Sequence, residues 1–271
     1  MTDAPSTVGS GGASESDSAR ASAPGAALEV RDLSWQVGGA KIVRGVTFAV
    51  APGEFVGVIG PNGAGKTSLF NLISGINPIS GGTVLLGGRD ITRDSIAARA
   101  RAGVGRTFQT SSLFPRLSVL ENVRIAAQQK LGGNLSVIRF PRAGDAATEL
   151  AEQHLATVRL DKRRTAAGDL SHGDKRKLEI AMLLAADPQV ILLDEPMAGV
   201  NSSDVPGLSD VIRTLHRSGR TVLMVEHHID VVLGLADRVA VMHHGELLAI
   251  DTPERIMADE TVQNAYLGGV A

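Results

Sequence analysis

The chain has 271 residues, 43% of them hydrophobic and 21% charged, with a formal charge of −2 and no cysteine. These values describe a globular chain large enough for one large domain or one domain with a sub-lobe, and they exclude disulfides, thiolate catalysis and cysteine-type zinc sites. With a sequence pI near 6.4 there is no chain-wide basic footprint for nucleic acid. The lack of cysteine leaves a cytoplasmic address unopposed, and because no apolar run is long enough to span a bilayer, any membrane role must come through a partner.

Residues 1–26 are rich in Ser, Ala and Gly and carry no apolar h-region. They read as a disordered tail rather than a secretory signal. Leu28 to Leu33 alternates apolar and polar side chains as a strand does, and Val46, Phe48 and Val50 repeat the pattern. The turn Ala51-Pro52-Gly53 then leads into the apolar strand Phe55-Val56-Gly57-Val58-Ile59.

Gly60-Pro61-Asn62-Gly63-Ala64-Gly65-Lys66-Thr67-Ser68 follows that strand and precedes a helix-like run. It fits G-x-x-x-x-G-K-[ST], the phosphate-binding loop. Its glycines let successive N–H groups turn toward phosphate oxygens, and the helix start adds positive potential. Lys66 is expected to reach the β- and γ-phosphates and the Thr67 hydroxyl to sit on Mg²⁺. Further on, Gly81-Gly82 and Gly87-Gly88 bracket Thr83 to Leu86 and predict hairpins. An antiparallel layer is thus interleaved with the start of a nucleotide-binding core.

Beyond Gly105-Arg106-Thr107-Phe108-Gln109 the pattern becomes helical. Ser118 to Glu121 is a capping box, and Leu150, Ala151, His154, Leu155 and Val158 share one helical face, with His154 read as a half-buried core residue. Ser171 is a good N-cap with Asp174 three residues on, and Leu178, Ala181, Met182 and Ala185 continue that helix. Lys175, Arg176 and Lys177 crowd its first turn against the helix dipole, a solvated basic face or a functional one.

Val190 to Leu193 is a continuous apolar run, as in a parallel strand covered on both faces. It ends in Asp194-Glu195-Pro196, the Walker B pattern: Asp194 for Mg²⁺ and Glu195 as general base toward water. An amphipathic helix at Leu208 to Leu215 and a second buried strand, Val222 to Val225, follow, the strand running into Glu226-His227-His228. Arg238 to Met242 and Leu247 to Ile250 flank a turn at His244-Gly245. Strands alternating with helices predict a mostly parallel α/β sheet. Adjacent histidines on a strand face opposite ways, so His227-His228 and His243-His244 are poor chelating pairs and zinc is not expected.

Phosphate loop, Gln109, Leu170-Ser171-His172-Gly173-Asp174, Asp194-Glu195 and His227 stand in an order that resembles the ATP-binding subunit of an ABC transporter, over residues 27–271. The resemblance implies a P-loop core with an antiparallel β-subdomain and a helical subdomain at about residues 109–184. It implies that Gln109 touches Mg²⁺ and the attacking water and senses the membrane subunit, and that His227 contacts the γ-phosphate and orients Glu195. Ser171 and Gly173 would bind the γ-phosphate of ATP held by a second, identical or paralogous, ATPase subunit.

Three departures stand out. His172 and Asp174 replace a Gly and the Gln of the usual signature, and Asn201 replaces the family's Asp in Ala198-Gly199-Val200-Asn201. The family's adenine-stacking aromatic falls near Val37, and Trp35 could substitute or simply pack as a core or surface residue.

A narrower resemblance, in Gly105 to Gln109, the long insertion before the signature, Met197 to Asn201, Val225 to His227 and the C-terminal Thr252-Pro253-Glu254…Ala265-Tyr266-Leu267-Gly268, is to branched-chain amino-acid importer ATPases. Leu-Ser-His-Gly also resembles urea and short-chain-amide relatives. Implied partners are permease subunits at the inner face of the plasma membrane and, through them, a solute-binding protein. A soluble non-transport ABC ATPase, a non-hydrolysing regulatory subunit and a lipid-exporting relative are the rival readings.

Overall fold

A computed structural model describes residues 25–107, 113–131 and 145–267. Gln109, the stretch holding Gly132, Gly133 and Pro141, Gly268 and nearly all of the predicted tail lie outside the described residues. The order is β1 (Leu28–Val37), β2 (Ala40–Val50), β3 (Phe55–Ile59), α1 (Lys66–Ser74), β4 (Gly81–Leu86), β5 (Arg89–Asp90), α2 (Ile96–Ala102) and β6 (Val104–Arg106). Then come α3 (Val119–Lys130), α4 (Ala146–Thr157), α5 (His172–Ala185), β7 (Val190–Asp194), α6 (Val205–Arg217) and β8 (Thr221–Val225). α7 (Ile229–Leu233), β9 (Arg238–His243), β10 (Glu246–Asp251), α8 (Pro253–Ala258) and α9 (Glu260–Leu267) complete it.

Two sheets form. One is antiparallel in the order β2-β1-β4-β5; the other runs β10-β9-β3-β8-β7-β6, parallel except for the edge strand β10. The predicted β4–β5 hairpin turns on Gly87-Gly88, both at positive φ. β1 runs four residues past its predicted end, with irregular register against β2.

All residues of β3, β7 and β8 are buried. Alternate side chains feed two cores, because neighbours on a strand face opposite ways. Val190 and Leu192 join the core shared with the antiparallel sheet and α1, while Ile191 and Leu193 join the core filled by α3, α4, α5 and α6. The helical stretch is held by caps read from sequence: Ser118 accepts the Glu121 N–H, and Ser171 accepts the Asp174 N–H. The acids at those positions do not reach back. Glu121 pairs with Arg124, and Asp174 with Lys162.

α2 was not foreseen. Its seven residues include Arg99, which is 2% exposed. The guanidinium donates to the carbonyls of Leu72, Ile73, Thr92 and Asp94, at 2.5, 2.8, 2.7 and 3.1 Å. Two of these are last-turn carbonyls of α1, of which Leu72 also accepts the N–H of the C-cap Gly75 at 3.2 Å. Arg99 thereby ties the C-terminal end of the phosphate-loop helix to the segment after β5. Burial holds its pKa below the usual arginine value, against the pull of Asp94 and Asp90. Arg99→Met should remove a donor from each of these carbonyls, leaving Leu72 only its Gly75 N–H, and lower unfolding free energy by about 2–4 kcal/mol, read by urea denaturation.

Candidate active site

β3 ends where the loop must turn sharply. Gly60 has φ +153°, and a Cβ there would run into the Met242 carbonyl on β9. The loop is pinned from the other side by the Gly245 N–H on the Ala64 carbonyl, 3.0 Å. No side chain caps α1, and no acid occupies its first turn, so its positive end faces the loop's concavity. Lys66 is 6% exposed and donates from Nζ to the carbonyls of Gly60 (2.6 Å) and Pro61 (3.0 Å). Burial depresses its pKa, and the charge of Glu195 pulls it back up.

β7 delivers the two acids. Asp194 is 1% exposed. Its Oδ2 accepts from Arg106 Nη2 at 2.6 Å, and its N–H lies 3.3 Å from the Thr107 hydroxyl. Burial raises its pKa, opposed by Arg106 and reinforced by Glu195. Its Oδ1 is buried without a hydrogen-bond partner. A buried carboxylate oxygen left open is what a hard divalent cation takes, and Thr67 supplies a hydroxyl from the helix start. This donor set fits Mg²⁺.

Glu195 adopts φ +48°, uncommon for a side-chain-bearing residue. Its N–H donates to the Val225 carbonyl at 2.9 Å, and His227 Nε2 lies 3.0 Å from its Oε1. A small cavity of about 240 Å³ is lined by Gly60, Pro61, Asn62, Glu226, His227 and Ile229. The fold thus gathers the phosphate loop, Asp194, Glu195 and His227 at one sheet edge.

Other predicted residues lie apart. Among the described residues, the hydrogen bonds of Ser171 stay at the start of α5, and Gly173 packs on Asp204. Both sit at the N-terminal end of α5, as an anion site needs. Trp35 is half-buried against the β-layer core and pairs across the sheet with Val43. Val43 follows Ile42, whose carbonyl abuts Gly65. Gln109 lies outside the described residues; Thr107, two residues earlier, is at Asp194.

Two residues were missed as site components. Arg106, 7% exposed in its side chain, bonds Asp194 and the Ser74 hydroxyl (2.7 Å) and lies 5.9 Å from the Phe70 ring centre. Glu226 is a buried hub beside His227. The available signal was a charged residue bordering each buried strand.

A lysine in a glycine loop, two strands from a carboxylate pair, is what phosphoryl transfer from a nucleoside triphosphate to water asks of a protein, and it defines a P-loop hydrolase. Comparison narrows the class. The family model described as ABC transporter matches residues 43–198, and the chain belongs to that family of transport ATPases, whose members couple ATP hydrolysis to transport. It is 38% identical over 250 residues to the high-affinity branched-chain amino acid transport ATP-binding protein LivG of Escherichia coli K12, covering 89% of this chain and 97% of LivG. It is equally 38% identical over 244 residues to the lipopolysaccharide export system ATP-binding protein LptB of the same organism, covering 90% and 98%. The ADP conformation of MJ1267, an ATP-binding cassette of an ABC transporter, superposes with a TM-score of 0.78 at 28% identity, over 90% of this chain and 99% of that one. Such ATPases bind ATP and ADP, dimerise and work with membrane permease subunits. Among the described residues no helix is long and apolar enough to cross a membrane.

Removing Arg106 should expose the cost of burying Asp194. Arg106→Ala is expected to lower stability by about 3–5 kcal/mol, because it strands a buried carboxylate. Adding Asp194→Asn to Arg106→Ala should recover most of that loss, read by urea unfolding of the nucleotide-free protein.

Proposed function

We propose that this chain is the ATP-hydrolysing subunit of an importer for branched-chain or other hydrophobic amino acids, peripheral at the cytoplasmic face of the membrane. The observation that carries hydrolysis is the 3.0 Å contact of His227 with Glu195 beside the phosphate loop. It holds Oε1 and leaves the second carboxylate oxygen to take a proton from water. The likeness to LivG, with the Gly105 to Gln109 and Val225 to His227 segments, supports the solute class.

In this reading Gly60 to Ser68 cradle the triphosphate, and Lys66 exchanges its two loop carbonyls for phosphate oxygens. Thr67 and Asp194, with Gln109, would hold Mg²⁺, which would neutralise phosphate charge when bound. Glu195 is the general base, His227 orients it, and Trp35 stacks on the adenine. Ser171 and Gly173 act in trans on the nucleotide of a second ATPase subunit. The helical lobe at about residues 109–184, inserted in the core, carries them.

An apolar cavity of about 300 Å³ between α1–α2 and α5, lined by Ile76, Ile96, Val104, Leu113, Met182 and Leu183 among others, suits the permease contact. Ile76 and Ile96 at its rim are exposed at 39% and 48%.

Glu195→Gln should keep ATP affinity within about threefold and lower turnover at least ~100-fold, measured by nucleotide titration and phosphate release. Undiminished turnover would reject the base assignment. Lys66→Ala should weaken ATP binding by at least about tenfold, the worth of roughly one charged phosphate contact; unchanged affinity would reject the loop assignment.

The equal identity to LptB supports a second reading, lipopolysaccharide export. Vesicles reconstituted with the co-expressed membrane subunits decide between them. ATP-driven leucine uptake supports import. Uptake of urea instead moves the solute class, and ATP-driven lipopolysaccharide extraction overturns import.

A further inference from the structure

β7 ends in a buried acid, and another, Glu226, directly follows β8. Glu226 is 2% exposed, and both its oxygens act as acceptors. Oε1 takes the Met197 N–H at 2.7 Å. Oε2 takes the His227 N–H at 2.8 Å and the His228 N–H at 3.2 Å, and lies 3.0 Å from His228 Nδ1. Three of these four partners are backbone amides. The carboxylate is therefore spent on fixing chain direction, in a site where an unmatched donor or acceptor is costly.

The two turns it joins are the ones that matter. Met197 lies two residues beyond Glu195 in a tight turn, where the Ala198 N–H bonds the Glu195 carbonyl and the Val200 N–H bonds the Met197 carbonyl. That turn contains the positive φ of Glu195, a conformation that persists only when its surroundings over-determine it. The other turn carries His227. The bonds close a ring: Glu195 N–H to the Val225 carbonyl, Glu226 to Met197, and His227 to the Glu195 carboxylate. From Met197 the chain runs on to Gly199, where an added Cβ would lie 3.9 Å from the His172 ring at the signature helix.

We propose that Glu226 is a positioning residue for ATP hydrolysis. It locks the turn after Glu195 to the turn holding His227, so the carboxylate–imidazole contact is set before ATP arrives. It also makes movement of the segment after Met197, beside the signature helix, felt at His227. The proposal rests on the reading of Glu195 as base and His227 as its orienter.

The test uses the purified full chain and the isosteric Glu226→Gln. An amide nitrogen cannot accept, so whichever way the glutamine sits, the Met197 turn or the His227–His228 turn faces a donor. The expected result is a fall in kcat of about 10–100-fold, the scale of a sub-ångström to 1 Å misplacement, with KM for ATP within about twofold. Glu226→Asp keeps both acceptors and should recover part of the loss. In a Glu195→Gln background the Glu226→Gln substitution should change residual turnover by less than about twofold, because residues acting as a unit are non-additive.

An equal fold-loss in both backgrounds, or a lowered Tm with unchanged kcat, makes Glu226 merely structural and overturns the proposal. If Glu226→Gln is recovered unfolded, Glu226→Asp carries the same cycle, and a wild-type kcat there overturns it. Wild-type turnover in Glu195→Gln alone would instead fail the underlying site reading, a separately visible outcome.

Discussion

The register of β3, β8 and β7 decides where charge collects. Val58 pairs with Val225, and Val225 pairs with Asp194, so three parallel strands reach the same level at one sheet edge. The residues just past that level are Ile59, Glu226 and Glu195, with Gly60 one position further on. Parallel strands need long crossovers, which is why functional residues so close in space are spread from Gly60 to His227. Each strand is buried on both faces, and sliding one past its neighbour by a residue would swap the side chains of two cores. The register of that edge is therefore fixed for reasons unrelated to nucleotide.

Buried charge at this edge is balanced locally rather than by solvent. Lys66 is held by two carbonyls and the field of Glu195, Asp194 by Arg106, and Glu226 by backbone amides. The three solutions differ in what they leave available. Lys66 can trade carbonyls for phosphate oxygens without moving far. Asp194 keeps one oxygen open. Glu226 keeps nothing open, which separates a group that positions from groups that bind. A buried pair such as Arg106–Asp194 is poor evidence of added stability; its value is that it fixes which carboxylate oxygen faces the site.

Much of this was legible in the sequence where chemistry and local pattern coincide. The phosphate loop declares itself by spacing, and the acids after Val190 to Leu193 by following an apolar run. Ser118 and Ser171 cap as read. What escaped depends on distant partners. Arg106 and Asp194 are 88 positions apart, and Met197 and Glu226 are 29 apart. No local pattern marks Arg99, two of whose four carbonyl acceptors lie at the end of α1, more than twenty residues away. The acids of the two capping boxes formed salt bridges instead, since Arg124 and Lys162 offered charge where the cap offered a neutral N–H.

The altered signature is best judged by charge. A carboxylate at Asp174 would repel a triphosphate arriving at the start of α5, and the sequence alone sets that cost against function. In the fold, Lys162 Nζ lies 2.8 Å from Asp174 Oδ2. Lys162 is exposed, so the pair adds little to stability. Its effect is on the field: Lys162 offsets the charge of Asp174 at the start of α5, while the Asp204 carboxylate packed against Gly173 adds a negative charge of its own beside the favourable helix N-terminus. The pKa of Lys162 is raised by that hydrogen bond and by the charge of Asp174, so the compensation persists across the physiological range. The charge of Asp174 itself is therefore largely offset within the fold. What changes at the signature is shape, through the exposed ring of His172 set beside Gly199.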